Sequence, residues 1–388
     1  MKTLDTCRVC GRPFFGEALL RYENMPKAAQ FLPDAASLAQ DKGFDLDVRQ
    51  CSGCGLVQLS SEPVAYYREV IRAAGFSEEM KAFRMRQFQS FIGNHDLQKK
   101  KVIEIGCGRG EYLTLMQQAG ADAYGLEYAG ESVRECVNRE MKVSQGFIES
   151  AATPLHSAPF DAFYILNFLE HLPCPNSILR GIYRNLADDA VGLVEVPNFD
   201  MILRNMLFSE FAADHLLYFT KDTLTTALRL NGFDVIECSE VWHDYILSAV
   251  VRKRKKTDLS PFSDQRSRLK HELEDYLRLF PKNKVAIWGA GHQTFAVIAL
   301  ADLAGKVRYV VDSAHFKQGK YTPATHVPIV PPEALVSDPV DAVIVMAASF
   351  SDEVANIIRL RFNKKMCVSV LRDYGLEVLR SSHAEPEA

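Results

Sequence analysis

The chain has 388 residues and a formal net charge of −4, which offers no blanket of positive charge for a nucleic-acid partner. Apolar residues make up 47% and charged residues 24%, enough to fill two or three ordinary cores and too much for a disordered or fibrous chain. The stretch from Met1 to Cys7 is polar, and no run of about 18 apolar residues occurs, so neither an export signal nor a membrane span is expected.

The first 60 residues are rich in Cys, Gly and Pro. They carry two knuckles, Cys7-Arg8-Val9-Cys10-Gly11 and Cys51-Ser52-Gly53-Cys54-Gly55. Each places two thiols on one tight turn. A single CxxC fits redox chemistry, but two pairs supply four sulfurs, enough for a closed tetrahedral zinc site with no open position for catalysis. The other five cysteines are scattered singly. That usage fits a reducing compartment, and a cytoplasmic location is expected.

From residue 63 to about 95 the pattern is helical, with Tyr67, Val70, Ile71 and Phe91 apolar among charges. Strands are then predicted at 101–105, 122–126, 160–166 and 190–196, alternating with helices at 110–119, 130–139, 175–186 and 221–231. Gly232 ends the last of these helices. Strands at 233–241 and 245–251 come next, resembling the antiparallel hairpin that closes methyltransferase sheets. The alternation argues for an α/β, doubly wound sheet. The basic run Arg252–Lys256 reads as a solvated linker, with a nucleic-acid or phosphate patch as the alternative. A charged helix over 263–279 precedes a second α/β unit with strands at 284–288, 307–311, 342–346 and 367–370. The tail from Ser381 is small and polar, and fraying is expected there.

Chemistry concentrates after the first of these strands. Glu104-Ile105-Gly106-Cys107-Gly108-Arg109-Gly110 spaces its glycines as GxGxG. Glycines let a backbone turn sharply and press against a ligand. This spacing differs from the GxGxxG of dinucleotide enzymes and suits a nucleoside with an amino-acid tail. Cys107 lies in the same loop, and Glu104 is suited to hold the amino group of that tail. Glu127, ending the next strand, is placed for the ribose hydroxyls. Gly146-Phe147-Ile148-Glu149 sits where the adenine would be framed. Asn167-Phe168-Leu169-Glu170-His171-Leu172 then looks like the fourth-strand end of class I methyltransferases, where a Glu-His pair lines the transfer face. S-adenosylmethionine is the cofactor these features together imply.

The order of features resembles the three-domain sugar C-methyltransferase family, and the likeness covers nearly the whole chain. It implies a zinc-binding module over 1–62, a helical connection over 63–98, a class I methyltransferase domain over 99–256 and a C-terminal Rossmann-like domain over 257–388. It rests on the knuckles with Met25-Pro26 between them and on the glycine loop. It rests also on Asp312 with Lys317-Gln318-Gly319-Lys320 and Thr325-His326-Val327-Pro328-Ile329. The resemblance implies a nucleotide-linked sugar as substrate and structural zinc on Cys7, Cys10, Cys51 and Cys54. The family's Tyr-His-Glu-His run stands here as Ala212-Ala213-Asp214-His215, and the family's subsequent Tyr-Phe pair is matched by Tyr218-Phe219. His215 becomes the leading base, with His171, Asp214 and Tyr218 beside it. C-methylation is the family's reaction, and O-methylation would need fewer polar groups. Tyr66 and Tyr67 are candidates to cover the substrate.

Trp288-Gly289-Ala290-Gly291-His292-Gln293-Thr294 repeats the strand–glycine–helix pattern, and Asp312 ends the next strand. That spacing also fits NAD, so an NAD-binding oxidoreductase or a non-catalytic binding protein is the rival reading. Under the resemblance, Gly289, Gly291 and His292 would instead face the nucleotide diphosphate, with Lys317, Lys320 and His326 as further phosphate ligands.

Overall fold

A computed structural model describes residues 4–27, 32–69, 76–362 and 365–379. It divides into two compact units, 1–256 and 257–388. Val70, Ile71 and the tail from Ser381 lie outside the described residues.

The first unit holds strands β1 (Leu20–Met25), β2 (Phe44–Gln50), β3 (Val57–Leu59), β4 (Lys101–Ile105), β5 (Asp122–Glu127), β6 (Lys142–Gln145), β7 (Phe160–Leu166), β8 (Leu186–Pro197), β9 (Leu217–Tyr218), β10 (Phe233–Val241) and β11 (Ile246–Lys253). Its helices are α1 (Glu78–Asn94), α2 (Glu111–Gln118), α3 (Gly130–Asn138), α4 (Pro175–Arg184), α5 (Phe199–Arg204) and α6 (Lys221–Leu230). Seven strands form one sheet in the order β10-β11-β8-β7-β4-β5-β6. All neighbours are parallel except β11, which runs antiparallel to both β8 and β10. This is the class I methyltransferase α/β fold, with the expected closing hairpin.

Successive strand residues point to opposite faces, and the apolar runs use both. Val102, Ala162, Tyr164 and Leu193 face a core shared with Phe88 and Ile92 of α1 and Leu113 and Met116 of α2. Ile103, Ile105, Phe163 and Ile165 face the other core, shared with Leu179 and Ile182 of α4 and Leu224 and Leu228 of α6.

Helix α1 starts later than the periodicity suggests. Ser77 is its N-cap, accepting from the Met80 backbone N–H, while residues 65–68 form turns. The basic run is not all linker either. Arg252 and Lys253 end β11, and the Lys253 ammonium donates to the Leu186 carbonyl at 2.8 Å.

The amino-terminal segment builds a second sheet in the order β1-β2-β3-β9. Its last strand comes from residues 217–218, far along the chain. Val57 pairs with Tyr218 and Gln58 with Leu217.

The second unit contains α7 (Ser260–Arg278), β12 (Val285–Trp288), α8 (His292–Leu300), β13 (Val310–Val311), β14 (Ile329–Val330), α9 (Ala334–Ser337), β15 (Ala342–Val345), α10 (Ser351–Arg361), β16 (Cys367–Leu371) and β17 (Leu376–Leu379). The sheet order is β14-β13-β12-β15-β16-β17, parallel except for the last strand. Val285 and Ile287 face α7 and α8, while Ala286 and Trp288 face α9 and α10.

One buried charge pair ties α1 to the first sheet. Arg84 is fully buried and bonds Glu195 of β8, and Gln87 donates to the other Glu195 oxygen. Removing one member strands a charge away from water, which costs about 3–5 kcal/mol. Arg84→Met should lower unfolding stability by that amount in urea titration, and Arg84→Met with Glu195→Leu should recover much of it. A loss below about 1 kcal/mol in the single variant would show the pair to be dispensable.

Candidate active site and cysteine cluster

The glycine loop turns at the carboxyl end of β4. Gly106, Gly108 and Gly110 all have positive φ, at 75°, 53° and 80°, a region that costs other residues strain. At Gly110 space adds a second demand, because a Cβ there would lie 2.5 Å from the Met141 sulfur. Cys107 is fully buried beneath the loop, against Gly125 of β5.

Glu127 locks the turn. Its carboxylate accepts from the Gly108 backbone N–H at 2.8 Å and from the Ala129 N–H at 2.8 Å. Glu104 is buried and accepts from the Tyr164 hydroxyl at 3.0 Å. A pocket opens over the loop, lined by Gly106, Leu126, Tyr128, Phe147, Phe168 and Arg68 among others. The Arg68 guanidinium lies over the rings of Tyr67, Tyr128 and Phe147, 5.1–5.7 Å from their centroids. Sequence reasoning missed Arg68, Tyr128 and Phe168 as lining residues. Tyr128 was findable as the residue after Glu127; Arg68 arrives from a distant segment and gave no signal.

Past Phe168 the chain makes a short 3₁₀ turn, Leu169–His171, whose three residues are buried. Neither Glu170 oxygen has a hydrogen-bond partner among the described residues. Burial pushes the Glu170 pKa up to about 8. His171 Nδ1 lies 2.8 Å from the Asp214 carbonyl. A carbonyl only accepts, so Nδ1 carries the proton and Nε2 presents its lone pair, 3.7 Å from Glu170 Oε1.

His215 meets His171 edge to face, ring centroids 4.8 Å apart. Burial, with His171 beside it, pushes the His215 pKa down to about 3, and burial lowers that of His171 too. Burial thus disfavours the charged form of both imidazoles. The Tyr66 hydroxyl donates to Asp214 Oδ1 at 2.9 Å, and Asp214 Oδ2 is buried without a partner among the described residues. The Tyr218 hydroxyl accepts from the Ala212 N–H at 3.1 Å. Asn167 sits at a φ of 48°, and its buried side-chain oxygen likewise has no partner among the described residues. Thr220 caps α6. The fold thus brings Tyr66, Glu170, His171, Asp214, His215 and Tyr218 together. Tyr67 stands with Phe147 on the pocket side.

The four knuckle cysteines also converge. The Cys7 and Cys54 sulfurs are 3.6 Å apart, those of Cys10 and Cys51 are 3.3 Å apart, and all four lie within 4.8 Å of one another. Four thiolates around one zinc ion stand about 3.8 Å apart, so the set fits that ion. Backbone N–H groups of Val9, Gly53 and Cys54 point at the sulfurs, as does the Gln58 side-chain amide. Asn176 of α4 donates to the Val9 carbonyl at 2.7 Å, fastening the first knuckle beside the Glu-His turn.

In the second unit, Asp312 repeats the role of Glu127. It accepts from the Ala290 N–H at 2.8 Å and from the Ala314 N–H at 2.8 Å. Lys317 was expected as a phosphate ligand; its ammonium is instead 2.9 Å from Asp312 Oδ2. Gln318 donates to the Asp312 carbonyl, and Val327 N–H donates to Thr322. The Lys-Gln-Gly-Lys and Thr-His stretches therefore hold a loop around Asp312. His292, Lys320 and His326 are exposed, Gly291 opens α8, and Gly289 passes against the Met346 carbonyl.

Comparison with known proteins agrees with this arrangement. Residues 76–238 match the methyltransferase domain family, and residues 251–365 match the C-methyltransferase C-terminal domain. The chain is an S-adenosylmethionine-dependent methyltransferase. It is similar to the C-methyltransferase NovU of Streptomyces niveus, 24% identical over 91% of this chain and 92% of that protein. It also resembles the ubiquinone biosynthesis O-methyltransferase of Bordetella avium, 32% identical over 25% of this chain and 42% of that one. Among solved structures, an S-adenosylmethionine-dependent methyltransferase from Clostridium acetobutylicum aligns at a TM-score of 0.39. It is 10% identical and covers 49% of this chain and 96% of that one. No helix among the described residues is long and apolar enough to cross a membrane.

The crowding at Gly110 gives a direct check on the loop. Gly110→Ala should cost about 1–3 kcal/mol of stability through overpacking and strain and should weaken S-adenosylhomocysteine binding in calorimetry. Unchanged affinity and melting temperature would mean the loop can relax away from Met141.

Proposed function

We propose that this enzyme transfers the methyl group to a carbon of a nucleotide-linked sugar, with zinc on Cys7, Cys10, Cys51 and Cys54 as a structural ion. The observation that carries the reading is the face formed by buried Glu170, His171 and Asp214 with half-buried His215. It begins two residues past Phe168, a wall of the glycine-loop pocket. Methyl transfer needs the nucleophile aligned with the sulfonium methyl at near-attack distance and its proton removed. Two imidazoles on this face offer ring nitrogens for the second demand. The 24% likeness to NovU along nearly the whole chain supports a carbon acceptor.

In this reading Gly106, Cys107, Gly108 and Gly110 cradle the cofactor, Glu104 receives its amino group and Glu127 its ribose. Asn167 and Glu170 close the methionine end. His215 is the proton acceptor, His171 supports it, and Tyr66 and Tyr218 orient Asp214 and the loop. Residues 1–62, 63–98, 99–256 and 257–388 divide the work between zinc module, connection, transfer domain and substrate-holding domain. In the last, Gly289, Gly291, His292, Lys320 and His326 would meet the nucleotide diphosphate.

Two experiments test this. Calorimetry should show binding of S-adenosylhomocysteine and none of NAD; the reverse would favour an oxidoreductase. His215→Ala should reduce turnover about a hundredfold or more with cofactor affinity unchanged, and undiminished turnover would remove His215 from the mechanism. Separately, metal analysis should find zinc that is lost on Cys10→Ser with Cys51→Ser; a zinc-free native protein would refute the structural ion.

A further inference from the structure

Glu170, His171 and His215 pose an electrostatic problem that the base assignment leaves open. Glu170 is 1% exposed, and neither oxygen has a partner among the described residues. Leaving a buried carboxyl group unsatisfied costs more than an ordinary lost hydrogen bond. Across from it stands the His171 Nε2 lone pair, at 3.7 Å. That gap is too long for a shared proton to form a hydrogen bond, so neither the carboxyl group nor the lone pair is satisfied by the other.

A positive ion between them resolves both difficulties. The tautomer of His171 is already the one a metal ligand needs. Its Nδ1–H is spent on the Asp214 carbonyl, the outer-shell bond that metal-bound histidines usually make. His215 adds a third donor, and one ligand atom from each residue falls within 4.8 Å of the others. Two imidazoles and one carboxylate form the donor set of open, non-haem divalent sites. Ligand atoms about 2.1 Å from an ion stand roughly 3.0–3.4 Å apart, so a small side-chain closure completes the site.

We propose that Glu170, His171 and His215 bind a divalent first-row cation, distinct from the cysteine-bound zinc. Open positions on that ion would take an oxygen of the acceptor substrate. The inference rests on the reading that this face carries the reaction. His215 then contributes through the ion, and loss of turnover in His215→Ala cannot by itself separate a ligand from a base.

The test is Mn²⁺ titration of the full zinc-loaded chain, monitored by loss of the free-ion electron paramagnetic resonance signal, because four thiolates do not favour Mn²⁺. One Mn²⁺ should bind per chain. Glu170→Gln and His215→Gln should each weaken it by about tenfold or more, the effect seen even for outer-shell partners. Retained zinc and an unchanged circular dichroism spectrum show that the variants are folded. Absence of Mn²⁺ binding by the native chain at millimolar ion, or equal binding by both variants, overturns the proposal. Loss of S-adenosylhomocysteine binding by the native chain would instead sink the methyl-transfer reading, so the two failures are distinguishable.

Discussion

The pairing of β3 with β9 is the constraint on which the placement of Glu170, Asp214 and His215 depends. Val57 and Gln58 bond a two-residue strand at 217–218, and the Leu59 N–H reaches the Leu216 carbonyl at 2.9 Å. The Leu216 N–H in turn donates to the Glu170 carbonyl. A strand of two residues cannot hold itself straight. Anchored between the cysteine-bearing sheet and the Glu-His turn, it fixes His215 and Asp214 against His171. The knuckles are thus tied to the Glu-His turn and to the segment that carries Asp214 and His215. Gln58 shows the economy of the join, since it sits in β3, bonds the Cys7 sulfur and accepts from the Arg8 N–H.

Burial sets the electrical character of this face. The same dry surroundings lower the proton affinity of His171 and His215 and raise that of Glu170. Polar groups kept so far from water usually find partners; among the described residues Glu170 and Asp214 Oδ2 do not. Such orphans are costly to folding. In the Arg84–Glu195 pair the buried charges answer one another within the chain, although Arg84 Nε and Nη2 also have no hydrogen-bond partner among the described residues.

Much of this was legible in the sequence. The glycine loop, Glu127 one strand later and the alternation of faces in β4 and β7 come from local spacing, and the fold uses them as spacing suggests. The illegible parts depend on distant partners. β9 is too short to give a period and exists only because β3 is there. β6 lies at the sheet edge, with no fully buried residue. Lys317 reads as a free cation until Asp312, five residues away, is seen to hold it. The Lys-Gln-Gly-Lys stretch was recognisable as a signature; its work as a brace around Asp312 shows only in three dimensions. The two alanines at 212 and 213 remove polar groups, yet Tyr66 reaches Asp214 from another segment, a substitution that sequence spacing cannot reveal.

The reaction itself is tested most directly by nuclear magnetic resonance of the product formed from S-adenosylmethionine labelled with ¹³C at the methyl group and a panel of nucleotide-linked keto sugars. Transfer to carbon predicts a new methyl resonance coupled to a ring carbon of the sugar. A methyl resonance on oxygen, or no transfer to any sugar while the cofactor is bound, would contradict it.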